Sequence, residues 1–187
     1  PSMNAVLDET LHTLDADAAA VLRRLAESNV LEYVADRKFK SPSPTGMQIH
    51  LGEGIAGRVA AESPKLRCVS IEPGSEEEEV LSDLFPADHF SFCAAAPLFC
   101  SGDLMGVLEV FRHDEFSPDR EWRDFLQTLA KHAGIAMHHI GLFEDLQQSH
   151  TELVRAYDET IEGWSKALEL RDQETEGHTQ RVTHGTL

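Results

Sequence analysis

Glu174 and His178 stand four residues apart in the run Ala156 to Thr186, AYDETIEGWSKALELRDQETEGHTQRVTHGT. Side chains four apart share one face of a helix, and a carboxylate beside an imidazole is a sensible ligand pair for iron or manganese. Two ligands alone do not make a stable metal centre, so this pair has chemistry only where others join it. His132, His138 and His139 raise the question of haem or metal ligation, since the first and last are seven apart on one helical face. No carboxylate or cysteine stands at a supporting spacing, and surface or interface histidines are the stronger reading. The acidic run Glu76 to Glu79 lacks the alternating spacing of a calcium loop and reads as a solvated helix start. Cys68, Cys93 and Cys100 are odd in number and form no CxxC pair, which indicates reduced, mostly buried thiols in a cytoplasmic protein. No nucleophile–base constellation and no complete metal set is found, so the chain by itself is expected not to be an enzyme.

The balance of charge narrows the partners. Among 187 residues, 33 acidic side chains against 16 basic ones give a net charge of −17. Such a field repels nucleic-acid phosphates and anionic lipid alike. The apolar run Phe92 to Cys100 is interrupted by Pro97 and falls far short of the ~20 residues of a membrane span. With 41% hydrophobic residues, a chain of this length buries one good core and carries a helical appendage at most.

Several elements must position these residues. Val6, Leu7, Leu11 and Leu14 share a helical face. Ala18 to Leu25 and Val30 to Phe39 read as a β-hairpin across Ala26-Glu27-Ser28-Asn29, with Leu31, Tyr33 and Ala35 alternating against polar neighbours. A short strand, Met47 to Leu51, precedes a helix from Ile55 to about Glu62, and Lys65 to Ile71 is a further strand. Ser75 is placed to cap a helix through Glu76 to Leu84, whose acidic first turn suits the positive end of the helix dipole. Strands Ser91 to Phe99 and Met105 to Arg112 meet across Cys100-Ser101-Gly102-Asp103. Ser117 and Pro118 then read as the N-cap and first residue of one long helix running to about Asp172.

This is an α+β pattern: a central antiparallel sheet of five to six strands flanked by helices, with a long C-terminal connecting helix. The stretch Leu51-Gly52-Glu53-Gly54-Ile55-Ala56-Gly57-Arg58-Val59-Ala60, the strand Lys65 to Ile71, and the hairpin with Pro97-Leu98-Phe99 and Gly106-Val107-Leu108-Glu109-Val110 together resemble a GAF domain, over residues 1–143. That resemblance implies a sensor domain with a small-molecule pocket between the sheet and its inserted helices. Ile55, Arg58, Leu84, Ser91, Phe92 and Cys93 are the candidate ligand-binding residues, with Phe92 stacking on a flat ligand. Which molecule binds is left open; the Asn-Lys-Phe-Asp-Glu motif of cyclic-nucleotide-binding members is absent.

Residues 144–187 carry a second resemblance. Arg171, Asp172, Glu174 and His178 are similar to the opening of an HD-GYP domain, a metal-dependent phosphohydrolase of cyclic dinucleotides such as cyclic di-GMP. The resemblance implies metal-ligand roles for Glu174 and His178 within a whole catalytic domain holding iron or manganese, and no metal in this chain alone. The family's name-giving motifs lie far downstream of such a segment, so the expectation is a regulatory module plus a catalytic stub. Leading into it, Leu146, His150, Leu153, Tyr157, Ile161, Trp164 and Leu168 recur at steps of four and three. An apolar stripe of this kind needs a cover, and the same helix of a second copy supplies one as a parallel coiled coil. The expected function is a GAF sensor that binds a small molecule and controls, through a dimerising helix, an HD-GYP phosphodiesterase domain. The alternative is a ligand-free dimerisation module for that domain.

Overall fold

A computed structural model describes residues 3–184 other than 26, 27, 63 and 64, with side chains as far as Leu168. In chain order its elements are α1 (Met3–Leu14), β1 (Ala18–Arg24), β2 (Val30–Arg37), β3 (Gln48–His50), α2 (Gly54–Glu62), β4 (Arg67–Ser70), α3 (Glu76–Leu84), β5 (Phe92–Cys100), β6 (Asp103–Arg112) and α4 (Arg120–His184). The six strands make one sheet in the order β3-β2-β1-β6-β5-β4, and every adjacent pair is antiparallel. The expected α+β architecture is present.

Strand parity divides the side chains between two apolar layers. Ala19 and Val21 of β1, Phe92, Ala94, Ala96 and Leu98 of β5, and Leu108 and Val110 of β6 face Leu7, Leu11 and Leu14 of α1 and Leu126, Ala130, Ala133 and Met137 of α4. Ala18, Ala20 and Leu22, Cys93 and Ala95, and Val107 and Phe111 point the other way, onto Ile55, Ala56 and Val59 of α2 and Leu81 of α3. Both faces of the central strands are therefore covered by helices.

Local chemistry sets the boundaries. Ser75 caps α3, its hydroxyl accepting from the Glu78 N–H at 3.2 Å, while the Glu78 carboxylate reaches back to the Gly74 N–H at 2.6 Å. The β5–β6 turn is tighter than the four-residue link anticipated: Cys100 pairs with Asp103, and Ser101 and Gly102 both have positive φ, 53° and 96°, which matches the right-handed twist of the strands. The start of α4 also differs from expectation. Asp119, not Ser117, is the cap, its carboxylate accepting from the Trp122 N–H at 2.8 Å. Pro118 consequently precedes the helix. Trp122 then donates through Nε1 to the Leu14 carbonyl at 3.2 Å, satisfying an end group of α1. Gly134 lets α4 approach the sheet, because a Cβ there would stand 2.4 Å from the Phe99 carbonyl oxygen.

The residues up to Ile140 form one compact unit and those from Gly141 a second. In the second unit the chain is helical as far as His184, and every described residue from Leu142 to Leu168 is exposed. Leu146, Leu153, Tyr157, Ile161, Trp164 and Leu168 are each more than half exposed. Alternating charge supports this stretch locally, with i,i+4 pairs Arg155–Glu159 at 2.9 Å and Glu162–Lys166 at 2.7 Å. Glu174 and His178 lie outside the described side chains.

Candidate functional site

A cavity of about 130 Å³ lies between the sheet and the two inserted helices. Tyr33 of β2, Ile49 of β3 and Glu109 of β6 line it from the sheet, Glu53, Gly54 and Ile55 from the start of α2, and Glu77, Val80, Leu81, Asp83 and Leu84 from α3. The sequence folds this way because β3 ends in a tight turn that delivers α2 back over the sheet. The Gly52 N–H bonds the Gly57 carbonyl at 2.8 Å and the Glu53 N–H bonds the His50 carbonyl at 3.0 Å. Gly57 itself has no room for a side chain: a Cβ would meet the His50 carbonyl oxygen at 2.4 Å. Arg58 then ties α2 to α3, its Nη2 donating to Glu77 Oε1 at 3.0 Å and its Nε to the Gly54 carbonyl at 2.9 Å.

The chemically distinctive wall is Glu109, only 2% exposed. Tyr33, itself 1% exposed, donates its hydroxyl to Glu109 Oε2 at 3.0 Å. The Ala56 N–H, in the first turn of α2, donates to the same carboxylate, so the group sits on the positive end of a helix. Burial pushes the carboxyl up to about 7 against the opposing pull of these two hydrogen bonds. The Tyr33 hydroxyl is raised well above its ordinary range, first by burial and then by the neighbouring Glu109 charge. Cys93 behaves alike: burial raises its thiol, and Glu109 adds to the effect.

Of the six residues expected to bind a ligand, Ile55 and Leu84 line this cavity. Arg58 is beside it, committed to Glu77 and to the Gly54 carbonyl. Cys93 is fully buried on the same face of the sheet, packed in the apolar layer. Ser91 borders a separate depression of about 210 Å³ with Ile71, Pro73 and Phe90. Phe92 is on the opposite face, edge-on to Phe116 and Trp122 at 5.2 and 5.8 Å between centroids. A stacking role for Phe92 in this cavity is thereby corrected: alternate residues of a strand face opposite ways, and Phe92 and Cys93 cannot both point under α2. Tyr33 and Glu109 went unnamed as site residues. A signal did exist, since Glu109 occupies the inward parity between Val107 and Phe111, where a charge is out of place.

Among the described residues no group of three or more His, Cys, Asp or Glu side chains is placed to hold a metal ion. His138 and His139 lie 6.4 Å apart between ring centroids on α4. Also among the described residues, no helix is long and apolar enough to cross a membrane.

The architecture is shared with solved GAF domains. The chain superposes on the GAF domain of a phosphoenolpyruvate-protein phosphotransferase from Coxiella burnetii with a TM-score of 0.63, at 19% identity, covering 75% of this chain and 82% of the other. The corresponding Acinetobacter domain gives 0.62 at 15% identity, covering 74% and 81%. The second GAF domain of DevS from Mycobacterium smegmatis gives 0.59 at 17% identity, covering 76% and 94%. At these identities the likeness concerns the fold. The family model for the GAF domain matches residues 2–137, and the chain belongs to that family. In sequence it is 26% identical over 124 residues to a methyl sulfide methyltransferase-associated sensor of Methanosarcina acetivorans; the match spans 65% of this chain and 12% of that protein.

Proposed function

We propose that this chain is the sensory part of a cytoplasmic signalling protein. Its GAF domain takes up a small molecule in the cavity beneath α2 and α3. The occupied and empty states are relayed through α4, paired with α4 of a second copy, to an HD-GYP cyclic di-GMP phosphodiesterase domain. The observation that carries the sensory reading is the cavity, which is mostly apolar at its walls and holds a buried hydrogen-bonded polar pair, Tyr33 and Glu109. The exposed stripe from Leu146 to Leu168 supports the pairing. The resemblance at Arg171, Asp172, Glu174 and His178 supports the identity of the output domain, in which the last two would bind iron or manganese alongside further ligands.

A second reading, a dimerisation module that binds nothing, is favoured by one observation. Phe39, Phe85, Phe90 and Phe111 pack against one another with centroids 4.5 to 6.3 Å apart in the apolar layer that also holds Leu81 of α3. Native mass spectrometry of freshly purified protein separates the two. A retained small molecule, lost when Tyr33 and Glu109 are replaced by Phe and Gln, supports the sensor. Retention of the molecule by that double variant places it elsewhere and sinks the cavity reading.

A further inference from the structure

We propose that the ligand of the cavity under α2 and α3 is a small organic cation, a primary ammonium compound whose charged end is bound by the Glu109 carboxylate. This rests on the reading of the domain as a small-molecule sensor and names the chemical class it senses. Four carboxyl side chains line the cavity, Glu53, Glu77, Asp83 and Glu109, and none of the lining residues is basic. The nearest guanidinium, Arg58, is engaged with Glu77 and faces it at 3.0 Å. An anionic metabolite would enter this enclosure against unbalanced like charge, whereas a cation is drawn to it.

Glu109 supplies the specific contact. A carboxylate has about four acceptor positions, and the two donors described above, the Tyr33 hydroxyl and the Ala56 N–H, are both neutral. A carboxylate sealed from water without a countercharge is costly, and an ammonium in the cavity supplies that countercharge along with up to three N–H donors. Ile49, Ile55, Val80 and Leu84 offer apolar surface to the rest of the molecule. At roughly one probe sphere per atom, 130 Å³ admits about ten non-hydrogen atoms, which fits a phenylalkyl amine.

Tyr33 from β2 and Cys93 from β5 act on Glu109 directly, and Glu53 ahead of α2 with Glu77 and Asp83 from α3 line the same cavity. The positive group beside them, Arg58 of α2, is paired with Glu77. With the Glu109 carboxyl at about 7, a cation binds the ionised form and competes with a proton. Its affinity therefore falls as pH drops through that value, by about tenfold between pH 8 and pH 6.

The test is a backbone-amide NMR titration with three probes of nearly one shape: phenethylammonium, 2-phenylethanol and phenylacetate. Phenethylammonium is expected to give saturable shifts at Tyr33, Gly54, Ile55 and Leu84, with at least tenfold tighter binding at pH 8 than the alcohol and a tenfold loss by pH 6. In Glu109→Gln the preference falls about tenfold and its pH dependence vanishes, while the alcohol still binds. Should that variant fail to fold, the pH dependence in the unmodified protein decides. Equal or tighter binding of the alcohol or of phenylacetate overturns the assignment of a cation and leaves the cavity as a ligand site. No shift at the cavity amides with any of the three overturns both.

Discussion

The two faces of one sheet are equally buried here and differ in what buries them. Toward α1 and α4 the layer is apolar but for Thr10, whose hydroxyl donates to the Val6 carbonyl of its own helix, and Phe92 is wedged below Phe116 and Trp122. Toward α2 and α3 the layer includes a carboxylate and a phenol, and beside them the packing leaves 130 Å³ open. Protein interiors ordinarily close such space, and burying Glu109 works against stability. The face that could have been packed like the other is built instead around a polar pair and a void. The difference separates a face that holds the domain together from one able to respond to a molecule.

The largest expected effect lies on the tightly packed face. Phe92→Ala should cost about 3–5 kcal/mol of stability, as for other buried aromatic truncations, read as a drop in the urea midpoint with unchanged slope. Probe binding to the folded fraction should survive. Loss of cavity binding at undiminished stability would instead return Phe92 to the ligand site and break the division between faces.

Glu109→Gln tests the other face through pH. The carboxyl is raised to about 7 in the folded protein from 4.5, so between those values the unfolded chain binds fewer protons than the native one and stability falls as pH rises. Below pH 4.5 both states are protonated and the penalty vanishes. The full difference above pH 7 is at most about 3 kcal/mol. Unfolding curves of the two proteins should therefore converge at low pH and separate in favour of Gln toward pH 8. Parallel curves would show that Glu109 is not buried as described.

Tyr33→Phe removes one donor from that carboxylate and should cost about 1–3 kcal/mol at neutral pH. Because the Tyr33 hydrogen bond pulls the Glu109 carboxyl down, the midpoint of the pH profile should also move upward, and an unmoved midpoint would argue against the coupling. Asp119→Ala, which deletes the α4 cap, should cost about 1 kcal/mol by chemical denaturation and leave the pH profile as it was.

The smallest effect on stability belongs to the second unit. Replacing Leu153 and Ile161 by Asp changes exposed positions, so the melting of the GAF domain should hardly move. Sedimentation should nevertheless shift from dimer to monomer at tens of micromolar, about the range in which weak self-association is seen. A monomer before any substitution would dispose of the pairing.

Much of the fold was legible because local signals agreed. Ser75 before four glutamates announced α3, the β5–β6 turn carried its glycine, and the periodic apolar residues of α4 described a helix without a proline. The candidate site was less so. In β5 the run Phe92-Cys93-Ala94-Ala95-Ala96 is apolar on both faces, so no alternation tells which side meets α2, and Phe92 and Cys93, both expected at the pocket, are absent from the cavity's lining. The cap of α4 was misjudged for a related reason: Ser117 and Asp119 both satisfy the local rule, and only the position of the Trp122 N–H chooses between them.

The sequence by itself therefore determined the order of strands and helices, the family to which they belong and the exposed stripe on α4, because each follows from spacing within a single segment. Tertiary structure alone decided that Tyr33 and Glu109, 76 positions apart, meet at the first turn of α2, and that a cavity opens beside them. Pairing of β2 and β6 across β1 brings the two together, and the charge state of a buried carboxyl depends on who its neighbours are, which no local pattern records.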